Sequence, residues 1–240
     1  MKTEGQNIPA VTFRTRENGD WKNVSTSDIF DNKTVIVFSL PGAFTPTCSS
    51  SHVPRYNELY ETFMKNGVDE IVCMSVNDTF VMNEWKKDQD AEKILFIPDG
   101  NGEFTEGMGQ LVDKSDLGFG KRSWRYSMLV KNGKIEKMFV EPQKEGDPFE
   151  VSDAETMLQY INADEKLPLD IFMVTKKGCS HCQSAKDLLE SKGLSFEESE
   201  LNTDISPRAL RALTSQSSTP QVFIEGKYIG GNDELTKYFS

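Results

Sequence analysis

The sequence predicts an α/β fold in two units. Apolar β-branched runs, which are typical of buried strands, alternate with segments of helical periodicity along the whole chain. The charged, proline-containing run "ADEKLPLD" at 163–170 interrupts this alternation, and the same order of elements starts again after it. The chain of 240 residues is long enough for two ordinary domains. We therefore predict a domain over 1–163, a linker over 164–169 and a second domain over 170–240.

Composition narrows the class of protein. The net charge of −11 argues against a nucleic-acid surface, because such a surface needs a basic stripe. The chain contains no apolar run long enough to span a membrane, and the polar N-terminus has no apolar signal region. We predict a cytoplasmic protein that binds neither nucleic acid nor membrane.

Strands and helices of the first unit each have their own signal. "TVIVFSL" at 34–40 and "EIVCMSV" at 70–76 are continuous apolar runs that predict buried strands, as does "ILFIP" at 94–98. Helical spacing of apolar residues from Val53 to Met64 and around Trp85 predicts helices between these strands.

The first unit is predicted to end in a hairpin and a helix. In "RYSMLVKNGKIEKMFV" the pair Asn132-Gly133 favours a tight turn between two strands. "SDAETMLQYIN" at 152–162 predicts a helix, with Ser152 and Glu155 at the spacing of a capping box.

The second unit repeats the alternation on a smaller scale. A helix is predicted to start at Cys179, and another to start after Ser206 as its cap, with Pro207 in the first turn. The remaining elements are, in order, the strands "IFMVT" and "SFEESEL", the hairpin "PQVFIEGKYIGG" and the helix "NDELTKYF".

Cys48 is a candidate nucleophile. The thiolate is the reactive form of cysteine, and the unpaired N–H groups at a helix N-terminus stabilise that anion. Thr45 can place a hydroxyl beside the sulfur, and Pro41 stiffens the turn and shields it from water. The segment "KRSWRYS" at 121–127 offers the cation that would complete the activation, with Arg125 at the edge of a predicted strand.

The other cysteines are of two kinds. Cys73 lies mid-strand between Val72 and Met74 and is predicted to be a buried structural residue. Cys179 and Cys182 form a Cys-x-x-Cys pair, whose second sulfur lies one helical turn along the same face, within reach of a disulfide. A zinc site would need a second ligand pair at similar spacing, and none follows, so we predict no metal.

The segment around Cys48 resembles that of a known family. "PGAFTPTCSSSHVPRY" is similar to the active-site segment of peroxiredoxins, whose pattern Pro-x-x-x-Thr-x-x-Cys is matched by Pro41, Thr45 and Cys48. "WRYSMLV" resembles the strand that carries the family's catalytic arginine, which falls on Arg125. The resemblance covers residues 7–163. It implies that Cys48 attacks a peroxide O–O bond and becomes a sulfenic acid, while Thr45 and Arg125 hold the peroxide oxygens.

The late loop of the first unit departs from the most similar branch of that family, the atypical two-cysteine peroxiredoxins. That branch carries a resolving cysteine in this loop, whereas the loop here reads "QKEGDPFEVSDAE" and has no thiol. We therefore expect Cys48 to be reset by a thiol from outside its own domain.

The second unit resembles glutaredoxins over residues 170–240. Besides the Cys-x-x-Cys pair, "STPQVFI" and "GGND" match motifs of that family, although "GGND" alone also fits an ordinary turn and helix cap. The sequence departs from the family by "SH" between the cysteines, where "PY" is common. The resemblance implies a cis peptide before Pro220. It also implies glutathione contacts from Lys176, Gln216, Thr219, Pro220, Asn232 and Asp233.

Together the two resemblances imply two thioredoxin-like domains, as in the fused peroxiredoxin–glutaredoxin proteins of bacteria. They imply a thiol peroxidase for hydrogen peroxide and small alkyl hydroperoxides, with glutathione as the reducing co-substrate and no tightly bound cofactor. Cys48 would be freed by Cys179, and Cys182 would be dispensable for this step, because deglutathionylation needs one thiol. Two alternatives remain open: a redox sensor or holdase that relays oxidation to partner proteins, and a general glutathione-dependent disulfide reductase.

Linker length bears on assembly. The linker of about seven residues spans at most roughly 25 Å when fully extended. Thioredoxin-like domains are wider than that, so Cys179 can fall short of Cys48 in its own chain. We predict a homo-oligomer, a dimer or tetramer, in which transfer can run between subunits.

Overall fold

The computed structural model describes residues 1–144 and 146–240. The chain forms two compact units, Met1–Glu165 and Lys166–Ser240. Each unit combines a mixed sheet with helices, which confirms the predicted α/β class. Among the described residues, no helix is both long enough and apolar enough to cross a membrane.

The first unit is built on a mixed sheet with the strand order β5-β4-β3-β8-β9. Its strands are β1 Thr12–Glu17, β2 Asp20–Ser25, β3 Thr34–Ser39, β4 Glu70–Ser75, β5 Leu95–Pro98, β6 Leu111–Asp113, β7 Lys121–Ser123, β8 Tyr126–Lys131 and β9 Lys134–Val140. Its helices are α1 Thr26–Phe30, a π-helix Cys48–His52, α2 Val53–Glu58, α3 Tyr60–Lys65, α4 Thr79–Asp88, α5 Glu103–Met108, a 3₁₀ turn Ser115–Leu117 and α6 Ala154–Ile161.

The central strand β3 confirms the prediction from "TVIVFSL". It runs parallel to β4 and antiparallel to β8. Ile36 and Phe38 pack into the apolar cluster on one face of the sheet, and Val35 and Val37 into the cluster on the other. A strand buried on both faces needs apolar side chains at every position, which explains its uninterrupted apolar run.

The hairpin β8–β9 is also confirmed. Its turn residues Asn132 and Gly133 have φ values of 48° and 72°, as the tight turn requires. The strands predicted at 70–76 and 94–98 are observed as β4 and β5, and the helix predicted around Trp85 is α4.

The predicted helix after Cys48 needs correction. It is divided into the π-helix Cys48–His52, α2 and α3. Pro54 has no N–H to donate to the carbonyl of Ser50, so the α-helical pattern cannot continue there, and Val53 N–H bonds to the Cys48 carbonyl instead. Pro46 and Thr47 are already helical, so Cys48 lies within the first turn rather than before it.

The predicted cap of α6 also needs correction. Asp153 caps this helix, because its carboxylate accepts the Thr156 N–H at 2.8 Å. The Ser152 hydroxyl instead donates to the buried Glu141 carboxylate at 2.7 Å, which needs donors more than the helix end does.

The second unit has a mixed sheet with the strand order β11-β10-β12-β13. Its elements are β10 Ile171–Thr175, α7 Ser180–Ser191, β11 Glu197–Glu200, α8 Pro207–Thr214, β12 Gln221–Ile224, β13 Lys227–Gly230 and α9 Asn232–Tyr238. Cys179 caps α7, and Ser206 caps α8 by accepting the Ala209 N–H, as predicted.

Candidate active site

The loop between β3 and Cys48 is held by the end of the neighbouring strand. The Asn77 side-chain oxygen accepts the Ala43 N–H at 3.1 Å and the Ser75 hydroxyl at 2.8 Å. Within the loop, the Thr45 hydroxyl donates to the Gly42 carbonyl at 2.8 Å. The loop therefore lies at the carboxyl ends of parallel strands, where α/β sheets commonly hold their sites.

The Cys48 side chain has no exposed surface. It packs in the apolar cluster that contains Phe38 and Cys73. Its neighbour Ser49 accepts the indole N–H of the buried Trp85 at 3.0 Å, which ties the π-helix to α4. The thiol is thus held in an apolar setting on a fixed backbone.

Arg125, immediately before β8, is 1% exposed and has several partners. Its Nη1 lies 3.1 Å from His52 Nδ1, and its Nε donates to Asp147 Oδ1 at 3.2 Å, while Nη2 donates to Asp147 Oδ2. Burial disfavours the charged guanidinium. The hydrogen bond to Asp147 and the nearby Cys48 outweigh this and raise the pKa of Arg125. The predicted cation therefore lies near the Cys48 thiol.

His52 is a further hydrogen-bond partner of Arg125, although the sequence indicated no role for it at this site. Its ring has no exposed surface. Burial, and then the charge of Arg125, lower the pKa of His52 to about 3. The neutral ring has one possible tautomer here, because Ser152 O, at 3.1 Å from Nε2, only accepts and Arg125 only donates. His52 thus donates through Nε2 and orients Arg125 through Nδ1.

Glu141 holds the loop that supports His52. Its buried carboxylate accepts the N–H groups of Glu150, Val151 and Ser152 and the Ser152 hydroxyl, at 2.7–3.0 Å. Burial alone would raise its pKa, but these hydrogen bonds together lower it. Glu141 therefore fixes the position of the Ser152 carbonyl, and through it the imidazole.

We expect His52→Gln to weaken the acid sensitivity of folding. Unfolded histidine binds a proton below about pH 6.5, whereas folded His52 stays neutral down to about pH 3. In that window the unfolded state binds more protons, so the free energy of unfolding falls as the pH falls. The variant should flatten this dependence by up to ~1.4 kcal/mol per pH unit, as measured by urea unfolding at a series of pH values.

His181→Gln is the matched control, because His181 is exposed and is the other of the two histidines in the chain. The control should keep the wild-type pH dependence. An unchanged slope in His52→Gln would contradict the buried neutral histidine.

Cys73 is a fully buried free cysteine in β4, opposite Phe38 of β3. Burial, and then the nearby Cys48, raise the pKa of its thiol well above the ordinary value. It is therefore held as a neutral thiol, which agrees with the structural role predicted from its mid-strand position.

In the second unit, Cys179 and Cys182 form a disulfide, with Cα atoms 5.2 Å apart. Cys179 is half-buried at the cap of α7, and its sulfur accepts the Cys182 N–H at 3.2 Å. Cys182 is 2% exposed. Cys179 is therefore the sulfur that a reactant can approach.

Several residues proposed for glutathione lie beside Cys179. The Thr219 carbonyl and hydroxyl oxygens lie 3.5 Å and 3.6 Å from its sulfur, and the Thr219–Pro220 peptide is cis, as predicted. Lys176 lines a groove of about 460 Å³ together with Cys179. The "GGND" corner is adjacent to Pro220, since a Cβ on Gly231 would lie 3.6 Å from the Pro220 carbonyl.

The remaining residues proposed for glutathione lie at or near the surface of the second unit. Gln216 and Asp233 are exposed, and Asn232 is half-buried at the first position of α9. Gln221, which the sequence did not single out, holds the loop of Thr219: its amide donates to the Ser218 carbonyl at 2.9 Å, and its oxygen accepts from the Tyr228 hydroxyl. Its side chain is buried, so a motif match alone could not reveal this contact.

Within residues 1–144 and 146–240, no group of three or more His, Cys, Asp or Glu side chains is arranged to hold a metal ion. Both sites offer thiols and hydrogen-bond donors, and the first site also holds the buried guanidinium of Arg125.

Comparisons with known proteins assign a family to each of the two units. Residues 3–158 match the Redoxin family and residues 171–229 match Glutaredoxin. The chain is 64% identical over 237 residues to the hybrid peroxiredoxin hyPrx5 of Haemophilus influenzae, covering 99% of this chain and 98% of that protein.

Solved structures resemble the first unit. Reduced Prx3 of Vibrio vulnificus in complex with hydrogen peroxide is 40% identical with a TM-score of 0.64, covering 67% of this chain and 99% of that one. The Plasmodium falciparum antioxidant protein, a 1-Cys peroxiredoxin, is 37% identical with a TM-score of 0.65, covering 68% and 100%.

These matches confirm both resemblances and the thioredoxin-like class of the two domains. Identity extends over nearly the whole length of a hybrid relative, and each domain matches the family that its cysteine motif indicates. The chain belongs to the hybrid peroxiredoxins, which are peroxidases of the oxidoreductase class with a Redoxin domain fused to a glutaredoxin domain.

Proposed function

We propose that this hybrid peroxiredoxin is a glutathione-dependent peroxidase for hydrogen peroxide and small alkyl hydroperoxides. One observation carries the proposal: the loop 141–152, which packs on Arg125, has no cysteine, while Cys179 stands on a glutaredoxin domain of the same chain. The similarity to a Vibrio peroxiredoxin solved with hydrogen peroxide supports the oxidant. The similarity to a 1-Cys peroxiredoxin supports a first domain with one working thiol.

The oxidative half-reaction takes place at Cys48. Its thiolate attacks one peroxide oxygen, the O–O bond breaks, and the other oxygen leaves as water or an alcohol after taking a proton. Cys48 becomes a sulfenic acid. Arg125, with Thr45 in the preceding turn, stabilises the charge that moves onto the leaving oxygen, while Pro41 shields the site.

The reductive half-reaction links the two domains. Glutathione condenses with the sulfenic acid, releasing water and leaving a mixed disulfide on Cys48. The Cys179 thiolate attacks the glutathione sulfur, which frees Cys48 and moves the glutathionyl group to Cys179. A second glutathione then attacks that disulfide and leaves as glutathione disulfide. Cys182 is not required for these steps, because each uses one protein thiol at a time.

Six residues are proposed to hold glutathione on the second domain. Thr219 is best supported, because its backbone already lies beside the Cys179 sulfur. The full set is Lys176, Gln216, Thr219, Pro220, Asn232 and Asp233.

We further propose domains over 1–163 and 170–240 joined by the linker 164–169, a homo-oligomer, and a cytoplasmic location. The short linker supports transfer between subunits, and thiol chemistry of this kind needs a reducing compartment. Mixing Cys48→Ser and Cys179→Ser chains tests the transfer. If transfer runs between subunits, the mixture regains glutathione-supported turnover that neither variant has alone; no recovery would place it within one chain.

The wild-type protein tests the proposed function directly. Hydrogen peroxide is supplied with glutathione as the sole reductant, and glutathione disulfide is measured. Sustained turnover, with two glutathione molecules oxidised per peroxide by the balance of the steps above, is expected. Oxidation that stops after one equivalent per chain would contradict the proposal and favour the sensor or holdase alternative.

A further inference from the structure

The loop 141–152 contacts the catalytic arginine at more than one point. The Asp147 carboxylate accepts hydrogen bonds from two nitrogens of Arg125, Nε and Nη2. The ring of Phe149 lies 5.5 Å from the guanidinium carbon and 5.0 Å from the His52 ring. The loop without a thiol therefore packs directly on the site.

The hydrogen-bond donors of Arg125 divide into used and available ones. Asp147 occupies the edge that contains Nε, in the side-on arrangement that fixes a guanidinium plane. His52 accepts from Nη1. One N–H of Nη1 and one of Nη2 are not used by these contacts. Both lie at the tip of the side chain, where they can donate to the sulfur and to the peroxide. The contact with Asp147 therefore fixes the direction in which these two N–H groups point.

The same contact sets the local charge. Arg125 is 1% exposed and its carboxylate partner 40% exposed, so the anion is anchored to a buried cation from the solvent side. His52 is neutral and contributes no charge. The sum of Arg125, His52 and Asp147 is therefore zero before the Cys48 thiolate is counted.

We propose that Asp147 is a positioning residue for the peroxidase reaction, which clamps the Arg125 guanidinium at Nε and Nη2 and offsets part of the charge that Arg125 offers to the Cys48 thiolate. The clamp and the charge offset come from one contact, but they are expected to change different measured quantities. Loss of the clamp lowers the rate at every pH, whereas loss of the charge alone moves the pH at which the thiolate forms.

The groups that face this site come from every element packed on it. Cys48 and His52 lie on the π-helix, Tyr56 on α2, Cys73 on β4, Arg125 before β8 and Asp147 in the loop. Burial raises the pKa of Tyr56 and of Cys73 far above neutrality, and lowers that of His52 to about 3. Between weakly acid and neutral pH these three side chains therefore keep a fixed protonation state, so a pH midpoint measured in that range does not come from them.

The test is the rate at which the reduced full-length protein reacts with hydrogen peroxide in a single turnover, measured against pH. Asp147→Asn keeps an oxygen for Nε but removes the charge. Its midpoint should move about one pH unit lower, the usual size for losing a nearby like charge. Its plateau rate should fall less than that of Asp147→Ala, because one of the two contacts with Arg125 is kept. Asp147→Glu keeps the charge and should restore the wild-type midpoint.

Asp147→Ala removes the clamp as well and should lower the plateau rate by about tenfold, as expected for a misplaced catalytic group. Glu150→Gln is the matched control: this exposed carboxylate is in the same loop and pairs with Lys144. It should change neither midpoint nor plateau. An unmoved midpoint in Asp147→Asn, or an equal shift in Glu150→Gln, would overturn the proposal.

Discussion

Cys48→Ser is expected to abolish peroxide turnover with any reductant. A serine hydroxyl stays protonated at neutral pH and cannot displace an oxygen from a peroxide, so the rate should fall by about three orders of magnitude or more, to the uncatalysed background. The substitution replaces sulfur by oxygen and leaves Arg125, His52 and the loop contacts in place. Hydrogen peroxide loss, measured with dithiothreitol and separately with glutathione, checks the result.

Cys73→Ala is the matched control. Cys73 is buried in the same apolar cluster as Cys48, but its thiol is kept neutral by burial. The variant should keep turnover with both reductants, at the cost of some stability from the small cavity. If Cys73→Ala abolished turnover instead, Cys73 would be a working thiol and the assignment of a single thiol to the first domain would be wrong.

Cys179→Ser is expected to have the second-largest effect, and a selective one. Turnover supported by glutathione should fall to background, because the mixed disulfide on Cys48 loses its acceptor. Turnover supported by dithiothreitol should continue near the wild-type rate, since this dithiol reduces Cys48 directly. The intact mass of the variant after peroxide and glutathione should show one retained glutathionyl group.

Cys182→Ser separates the two sulfurs of the pair. Cys182 is 2% exposed, whereas Cys179 is half-buried at the helix cap beside Thr219. We expect this variant to keep glutathione-supported turnover. Full glutathione-supported activity in Cys179→Ser would eliminate the proposed relay, while leaving the peroxidase chemistry of Cys48 untouched.

The sequence predicted the elements whose own residues determine them. Strand β3 has apolar residues on both faces, and the turn of β8–β9 has Asn132 and Gly133, so neither depends on distant context.

The hairpin β1–β2 was not predicted, although its turn also contains an Asn-Gly pair, Asn18-Gly19 with φ values of 51° and 90°. Its strands are largely polar and exposed, so they lack the alternation that marks a half-buried strand. Strands β6 and β7 are too short to show any period.

The residues of the candidate site also differ in whether the sequence alone could indicate them. The sequence singled out Cys48 and Arg125 because each stands in a motif. His52, Glu141 and Asp147 were not found, because their roles depend on the loop 141–152 folding back onto a helix about a hundred residues earlier. In the sequence, a buried carboxylate and an exposed one look alike. The prediction that Ser152 caps α6 was wrong for this reason: local spacing favoured it, and the distant Glu141 carboxylate competed for the hydroxyl.

The complete burial of Cys48 makes every reaction at its sulfur depend on a local opening of the fold. A sulfur with no accessible surface is closed to water-sized molecules, so a peroxide needs a small opening and a tripeptide a much larger one. In the proposed cycle, the bulky reductant therefore has to wait until the segment from Cys48 to His52 loosens, which includes breaking the Trp85 to Ser49 hydrogen bond. The fraction of molecules open at any moment would then set the speed of recovery, and so the time for which the sulfenic acid remains exposed to a second peroxide.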